Sequence, residues 1–200
     1  RIQDSLLFCQ GDVAGKGITA SLLMARSISL FRHLARSEKA VDKIANIINN
    51  EFLDVISDKF VTFVVGQMNC LTGDTHIVNC GHGPFLVVSS NTDEVGMHGS
   101  QTTPLGLKSY KSNELLPTKL NLKNKYLILA TDGIVEAKAR GQELGLKRLA
   151  SLTGRLDSQR AIDKVSGIMH LFKNGKLATH DDATILFVTC PDRGFLFVPK

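Results

Sequence analysis

The run Phe60–Asn79 (FVTFVVGQMNCLTGDTHIVN) decides the fold class. Phe60–Met68 is apolar and rich in Val and Phe. It stops at Thr72-Gly73-Asp74, a turn signal, and apolar character resumes in His76–Asn79. Two β-prone runs joined by so short a turn form a hairpin, and a hairpin imposes antiparallel pairing. A third such run, Phe85–Ser89, follows directly. Upstream the period is helical. Leu23, Ser27, Leu30 and Leu34 recur on one face of Ile18–Ala35, with Ile18, Leu22 and Ile28 widening it. Val41, Ile44, Ile48, Phe52 and Val55 do the same over Ala40–Ile56. Before these helices, Ser5–Gln10 reads as a short strand ending in a Gly11-Asp12 turn. Downstream, Asn91–Thr103 reads as a polar loop, and Glu114–Leu120 and Tyr126–Thr131 as strands. Leu144–Leu152 and Ser158–Phe172 read as helices, Ala183–Thr189 as a buried strand and Phe195–Val198 as a short terminal strand. Helices grouped in pairs beside runs of strands cover sheet faces as layers. The expected class is therefore α+β with mainly antiparallel sheets, not a doubly wound parallel sheet.

Composition narrows the function classes. Among 200 residues, 43% are apolar and 22% charged, which excludes a disordered or fibrous chain. No apolar run is long enough to cross a bilayer, and Arg1–Gln3 lead into a strand rather than a signal peptide. The first residue is not Met, so the expectation is a cut or processed N-terminus. A net charge of +5, no Trp and two Tyr argue against nucleic-acid binding. The basic stretch Lys138–Lys164 reads first as a solvated helix surface and second as a docking face for an acidic protein. Cys9, Cys70, Cys80 and Cys190 form no C-x-x-C pair, so they read as reduced, small hydrophobes in a cytoplasmic protein. Cys80 and His82 are two soft ligands, too few to close a metal site.

Acids at strand ends carry the chemistry. Asp12 follows one strand, Asp132 another, and Asp181 and Asp182 precede a third. Taken singly, each reads as a turn former or helix cap. Taken together, carboxylates converging from strand ends repel unless a cation intervenes, and hard oxygen ligands select Mg²⁺ or Mn²⁺. The Gly-rich stretch Gly11–Gly17 (GDVAGKG) fails the P-loop spacing, which counts against nucleotide hydrolysis. It still feeds a helix N-terminus able to face an anion, with Lys16 beside it. No G-x-S-x-G elbow exists, so a serine nucleophile is not indicated. His82 sits in a turn, and His180 adjoins the acid pair.

Five segments in order resemble the PPM-type (type 2C-like) metal-dependent serine/threonine phosphatases of the bacterial sporulation stage II protein E group. They are Gly11–Ala25 (GDVAGKGITASLLMA), Asn79–Pro84 (NCGHGP), Thr103–Leu107 (TPLGL), Ala130–Ala137 (ATDGIVEA) and Asp181–Val188 (DDATILFV). The resemblance implies a four-layer α-β-β-α sandwich and hydrolysis of phosphoserine or phosphothreonine on a regulatory protein, usually an anti-anti-sigma domain in partner switching. It implies two Mn²⁺ or Mg²⁺ ions and an activated water, with no covalent nucleophile. Asp12 then looks like the bridging ligand, the Val13 carbonyl a further ligand, and Asp132 and Asp181 ligands of the second metal. Lys16, Gly133 and Asp182 fall beside the ligands or at the phosphate. The family's G-G-D-x-x-D-like motif has no match ahead of Gly11, and Asp4 lies where the family has a hairpin turn. The expectation is one phosphatase domain, residues 1–200, truncated at its N-terminus, with one metal site incomplete. An upstream sensor region, no membrane contact from this domain and possible homodimerisation complete the expectation. The alternative is a non-catalytic binding module of the same fold in a signalling pathway.

Overall fold

The computed structural model describes residues 4–38, 40–53, 59–92, 94–154, 160–179 and 181–190. In chain order its elements are β1 (Ser5–Val13), α1 (Ile18–Leu34), α2 (Val41–Phe52), β2 (Val61–Asn69), β3 (Asp74–Cys80), β4 (Phe85–Ser89) and β5 (Val95–His98). There follow β6 (Thr118–Asn121), β7 (Lys125–Ala130), α3 (Asp132–Val135), β8 (Lys138–Ala139), β9 (Gln142–Glu143), α4 (Gly145–Gly154), α5 (Ala161–Lys173) and β10 (Ile185–Thr189). The described residues fall into two compact units, 4–82 with 99–121, and 83–98 with 122–190.

The first unit carries a four-stranded sheet in the order β1-β2-β3-β6, with every strand pair antiparallel. Its hinge is the predicted hairpin. The Asn69 side chain accepts the N–H groups of Leu71 and Thr72, and Gly73 turns with φ +77°, a region glycine enters without steric cost. Period two then assigns the faces. Val61, Phe63 and Val65 of β2 and Val78 and Cys80 of β3 pack against Leu23 and Phe31 of α1 and Ile44, Ile48 and Phe52 of α2. Burial of each large side chain here contributes about 1.5–3 kcal/mol. Leu7, Cys9 and Val13 join that face. Leu6, Phe8, Gln10 and Asp12 therefore share the face turned away from the helices. On it Phe8 lies over Gly66, where a Cβ would come within 2.8 Å of ring atom Cε1.

The second unit carries a sheet in the order β10-β7-β4-β5, again antiparallel throughout. Leu86, Val88, Tyr126, Ile128 and Phe187 of this sheet pack with Ile134, Leu149 and Ile168 of the helices. Lys164 is buried in this core. Its ammonium donates to the Thr153 carbonyl and sits 4.8 Å from the Tyr126 ring centroid. Two helix-covered antiparallel sheets are the parts of an α-β-β-α sandwich, so the α+β class stands.

Several local expectations are corrected. Strand β1 continues through Gly11 and Asp12 to Val13 instead of turning at Gly11. A Cβ on Gly11 would lie 2.6 Å from the Thr62 carbonyl oxygen and 2.9 Å from the Phe63 ring, so glycine is there for close approach. Ile18 and Leu22 do not widen the buried face of α1. They are 81% and 65% exposed, and Ala20 and Phe31 are buried instead. The supposed loop Asn91–Thr103 contains the edge strand β5, and the hairpin β8–β9 was not anticipated. Thr118–Asn121, not Glu114–Leu120, forms β6, because Ser112–Glu114 closes a 3₁₀ turn. Val55, His180 and Phe195–Val198 lie outside the described residues.

Candidate functional site

Asp12 stands near the end of β1, paired opposite Thr62. Its carboxylate is exposed, and Oδ1 accepts the Val13 N–H at 2.9 Å. The chain then leaves the sheet through Gly15 (φ +97°) and Gly17 (φ +90°), conformations that side chains rarely adopt. A Cβ on Gly15 would also lie 2.7 Å from Lys59 Nζ. Gly17 caps α1 without a side-chain bond, and no acid occupies the first turn. The helix N-terminus so keeps its partial positive charge, with the exposed Lys16 just before it.

A polar chain running from the surface into buried His82 and Asn79 backs this strand end. The Thr62 hydroxyl is 3.2 Å from both the amide nitrogen and the carbonyl oxygen of Asp12, and 2.9 Å from His82 Nδ1. Asn79 clasps the backbone of His82. Its Oδ1 accepts the His82 N–H at 2.8 Å and its Nδ2 donates to the His82 carbonyl at 3.2 Å. Two residues from Asp12 on the same sheet face, the Gln10 amide is 5% exposed and neither of its polar atoms has a hydrogen-bond partner among the described residues.

In the second unit, the residues on either side of Asp132 dock on the Asp181–Asp182 segment through backbone. Asp132 opens α3 directly after β7. The preceding Thr131 donates its N–H to the Thr184 carbonyl at 3.0 Å, and its hydroxyl accepts the Thr184 N–H at 2.9 Å. The same hydroxyl lies 3.3 Å from the Asp182 carbonyl oxygen. Gly133 is pressed onto this segment. A Cβ there would overlap the Asp182 carbonyl oxygen, with the Asp182 carbon at 2.8 Å and the Asp181 oxygen at 3.1 Å. Asp181 is set by its N–H to Thr179 Oγ1, and its Oδ1 accepts the Asp182 N–H at 3.0 Å. The Lys138–Ala178 bridge ties the other end of the loop to β8. Asp132, Asp181 and Asp182 are all exposed.

The donor set is chemically uniform: exposed carboxylate oxygens, suited to hard divalent cations. Among the described residues, no three His, Cys, Asp or Glu side chains gather closely enough to form a metal cluster. Asp12, Val13 and Lys16 belong to the first unit, and Asp132, Gly133, Asp181 and Asp182 to the second. Cys80 and His82 do not act as a ligand pair. Burial pushes the Cys80 thiol up to about 12, Tyr110 sits beside it, and the His82 ring is held by Thr62. Burial likewise pushes Cys9 up to about 12, as expected of small hydrophobes. Thr62, Lys59 and Gln10 escaped the sequence reading as site residues, and Asn79 entered it only as the start of the Asn79–Pro84 segment. Their signal is register: Thr62 lies opposite Asp12 only once β1 and β2 are paired, and Val64, the cross-strand partner of Gln10, faces Asn79 in turn.

Comparison with known proteins agrees with these segments. The family model for stage II sporulation protein E matches residues 3–191. The fold is similar to that of the RsbU and RsbW domains of Rv1364c from Mycobacterium tuberculosis (TM-score 0.77, 23% identity, 96% of this chain and 54% of that one). It is also similar to the PP2C phosphatase domain with a regulatory fragment of SpoIIE from Bacillus subtilis (0.71, 15%, 94% and 58%). A third likeness is to RsbX in complex with magnesium (0.66, 16%, 92% and 80%). The chain thus spans little more than half the length of the first two. Among the described residues no helix is long and apolar enough to cross a membrane.

Proposed function

We propose that this chain, which belongs to the stage II sporulation protein E family, is a divalent-metal-dependent phosphatase domain acting on phosphoserine or phosphothreonine of a regulatory protein. The single observation that carries the reading is the close packing of Gly133 on Asp181–Asp182, which docks two acid-bearing segments against each other. The contact is made by backbone and leaves the carboxylates of Asp132, Asp181 and Asp182 exposed, where a divalent cation would offset their mutual repulsion.

The proposal assigns Asp12, the Val13 carbonyl, Asp132 and Asp181 as ligands of two Mn²⁺ or Mg²⁺ ions, with Asp182 beside them. The magnesium complex of RsbX supports the choice of a hard divalent ion. When bound, such ions supply charge neutralisation of the phosphate and a water acidic enough to attack it. The protein's own groups do the rest. Asp12 and Asp132 hold fixed negative charge on exposed strand ends. The N–H groups opening α1, with Lys16, would stabilise a phosphate oxygen's negative charge there. The substrate of best fit is a phosphorylated anti-anti-sigma-type domain in a partner-switching pathway, in the cytoplasm. The pairing of an RsbU with an RsbW domain in the mycobacterial relative supports that context.

The test is release of phosphate from a phosphoserine-bearing domain of that type, with and without Mn²⁺. Asp132→Asn is expected to abolish release while leaving the circular dichroism spectrum and melting temperature unchanged. Release that continues in Asp132→Asn, or in excess chelator, refutes the assignment.

A further inference from the structure

The Asn79–Pro84 segment (NCGHGP) supplies none of the ligands assigned above, yet its histidine is 6% exposed and its ring contacts Thr62 of β2, the cross-strand partner of Asp12. Thr62 Oγ1 touches three groups: the Asp12 amide nitrogen at 3.2 Å, the Asp12 carbonyl oxygen at 3.2 Å and His82 Nδ1 at 2.9 Å. A hydroxyl has one hydrogen and two lone pairs. If the hydrogen goes to the Asp12 carbonyl, the lone pairs take the Asp12 N–H and an N–H on Nδ1. This is the one assignment in which all three contacts are hydrogen bonds, so His82 carries its hydrogen on Nδ1.

The chain continues behind the ring. Asn79, fully buried, holds the backbone N–H and carbonyl of His82. Gln101 in turn accepts the Asn79 N–H at 2.7 Å and donates its own N–H to the Asn79 carbonyl at 3.0 Å. The strand ladder does not need this support, because β1 and β2 are already paired from Ser5–Asn69 to Val13–Val61. The extra bonds fall on the one residue of β1 whose carboxylate is assigned to a cation.

We propose that His82, acting through the Thr62 hydroxyl, fixes the backbone of Asp12 and so sets the aim of its carboxylate. Both are positioning residues for cation binding, and the proposal rests on the reading of Asp12 as a ligand. Groups that orient ligands in this way change metal affinity by about 10–100-fold when removed.

The experiment measures Mn²⁺ affinity by isothermal titration calorimetry, with melting temperature recorded without metal. Thr62→Val and His82→Leu remove the hydroxyl and the ring donor. Each is expected to weaken Mn²⁺ binding at least tenfold, and the double variant no more than the worse single one. Thr62→Ser restores the hydroxyl. His82→Asn places an amide N–H where Nδ1 stands. Both are expected to recover most of the affinity, which a loss of general packing would not allow. Nitrogen-15 spectra of the imidazole are expected to show Nδ1–H in the wild type. Asp12→Asn separates the two readings. If it leaves Mn²⁺ affinity intact, the ligand assignment falls. If it abolishes binding while Thr62→Val and His82→Leu bind as wild type, the brace alone is overturned. An imidazole protonated only on Nε2 also overturns it.

Discussion

Replacing Gly133 with Ala sets local preference against tertiary contact. Gly133 is the second residue of the single-turn helix α3, where Ala is favoured over Gly by at most about 1 kcal/mol. Against that, the added methyl would lie 2.8 Å from the Asp182 carbonyl carbon and closer still to its oxygen, both backbone atoms. The Asp181–Asp182 segment must retreat by about 1 Å, and forcing a group into packed backbone costs about 1–3 kcal/mol. The retreat also stretches the bonds from the Thr131 hydroxyl to Thr184 and Asp182, now 2.9 and 3.3 Å, each worth about 1 kcal/mol. The tertiary cost exceeds the helical gain, and a net loss of about 3 kcal/mol follows. For a chain of this size that lowers the melting temperature by about 6–12 °C. Thermal melting followed by circular dichroism reads the loss, and calorimetry reads weaker Mn²⁺ binding in the same sample. Gly154→Ala in α4 is the control, because nothing lies within 4 Å of its Cβ position. It is expected to be neutral or slightly stabilising. A Gly133→Ala protein that melts with the wild type and binds Mn²⁺ equally well refutes the docking of the two acid segments.

Further outcomes are expected elsewhere. Gly66→Ala drives a methyl into the Phe8 ring, 2.8 Å from Cε1, and is expected to cost about 1–3 kcal/mol in urea denaturation; Phe8→Leu in the same chain should return part of that loss. Cys9 and Cys80 should resist iodoacetamide in the native protein at pH 8 and react once it is unfolded, as peptide mapping would show, because burial pushes both thiols from the ordinary 9.0 up to about 12. Between those values the folded state holds protons that the unfolded state releases. The two thiols therefore make stability fall as pH rises from about 9 towards 12, and flat urea midpoints across that window would contradict the burial.

Much of this architecture was legible in the residues, for identifiable reasons. The Phe60–Asn79 hairpin declared antiparallel pairing because its turn chemistry is local. The face of α2 was read correctly from Val41 to Phe52 because every apolar residue at that spacing is buried. Helix α1 misled because Ile18 and Leu22 are apolar but exposed, so hydrophobicity alone overstated the buried face. Strand β5 was missed because Gly96 and the polar residues around it read as loop, while its pairing with β4 and the stacking of His98 on Phe85 are tertiary facts. Among the site residues, Asp132, Asp181 and Asp182 announced themselves as acids at strand ends. Their docking did not, because it depends on a glycine pressed against a backbone carbonyl fifty residues away. The Thr62–His82 brace was hidden for a similar reason. Thr62 carries no signal in its own segment and His82 reads only as a turn residue; the register of β1 on β2 sets Thr62 opposite Asp12, and a side-chain contact then joins His82 to Thr62.

The most direct test of the account is the rate of phosphate release from a phosphoserine protein as Mn²⁺ is titrated into metal-stripped enzyme, for wild type and Asp132→Asn side by side. The account predicts no release without metal, release that rises and saturates with Mn²⁺ in the wild type, and none at any Mn²⁺ concentration in Asp132→Asn. Release that ignores Mn²⁺, or that follows the same curve in both proteins, would contradict it.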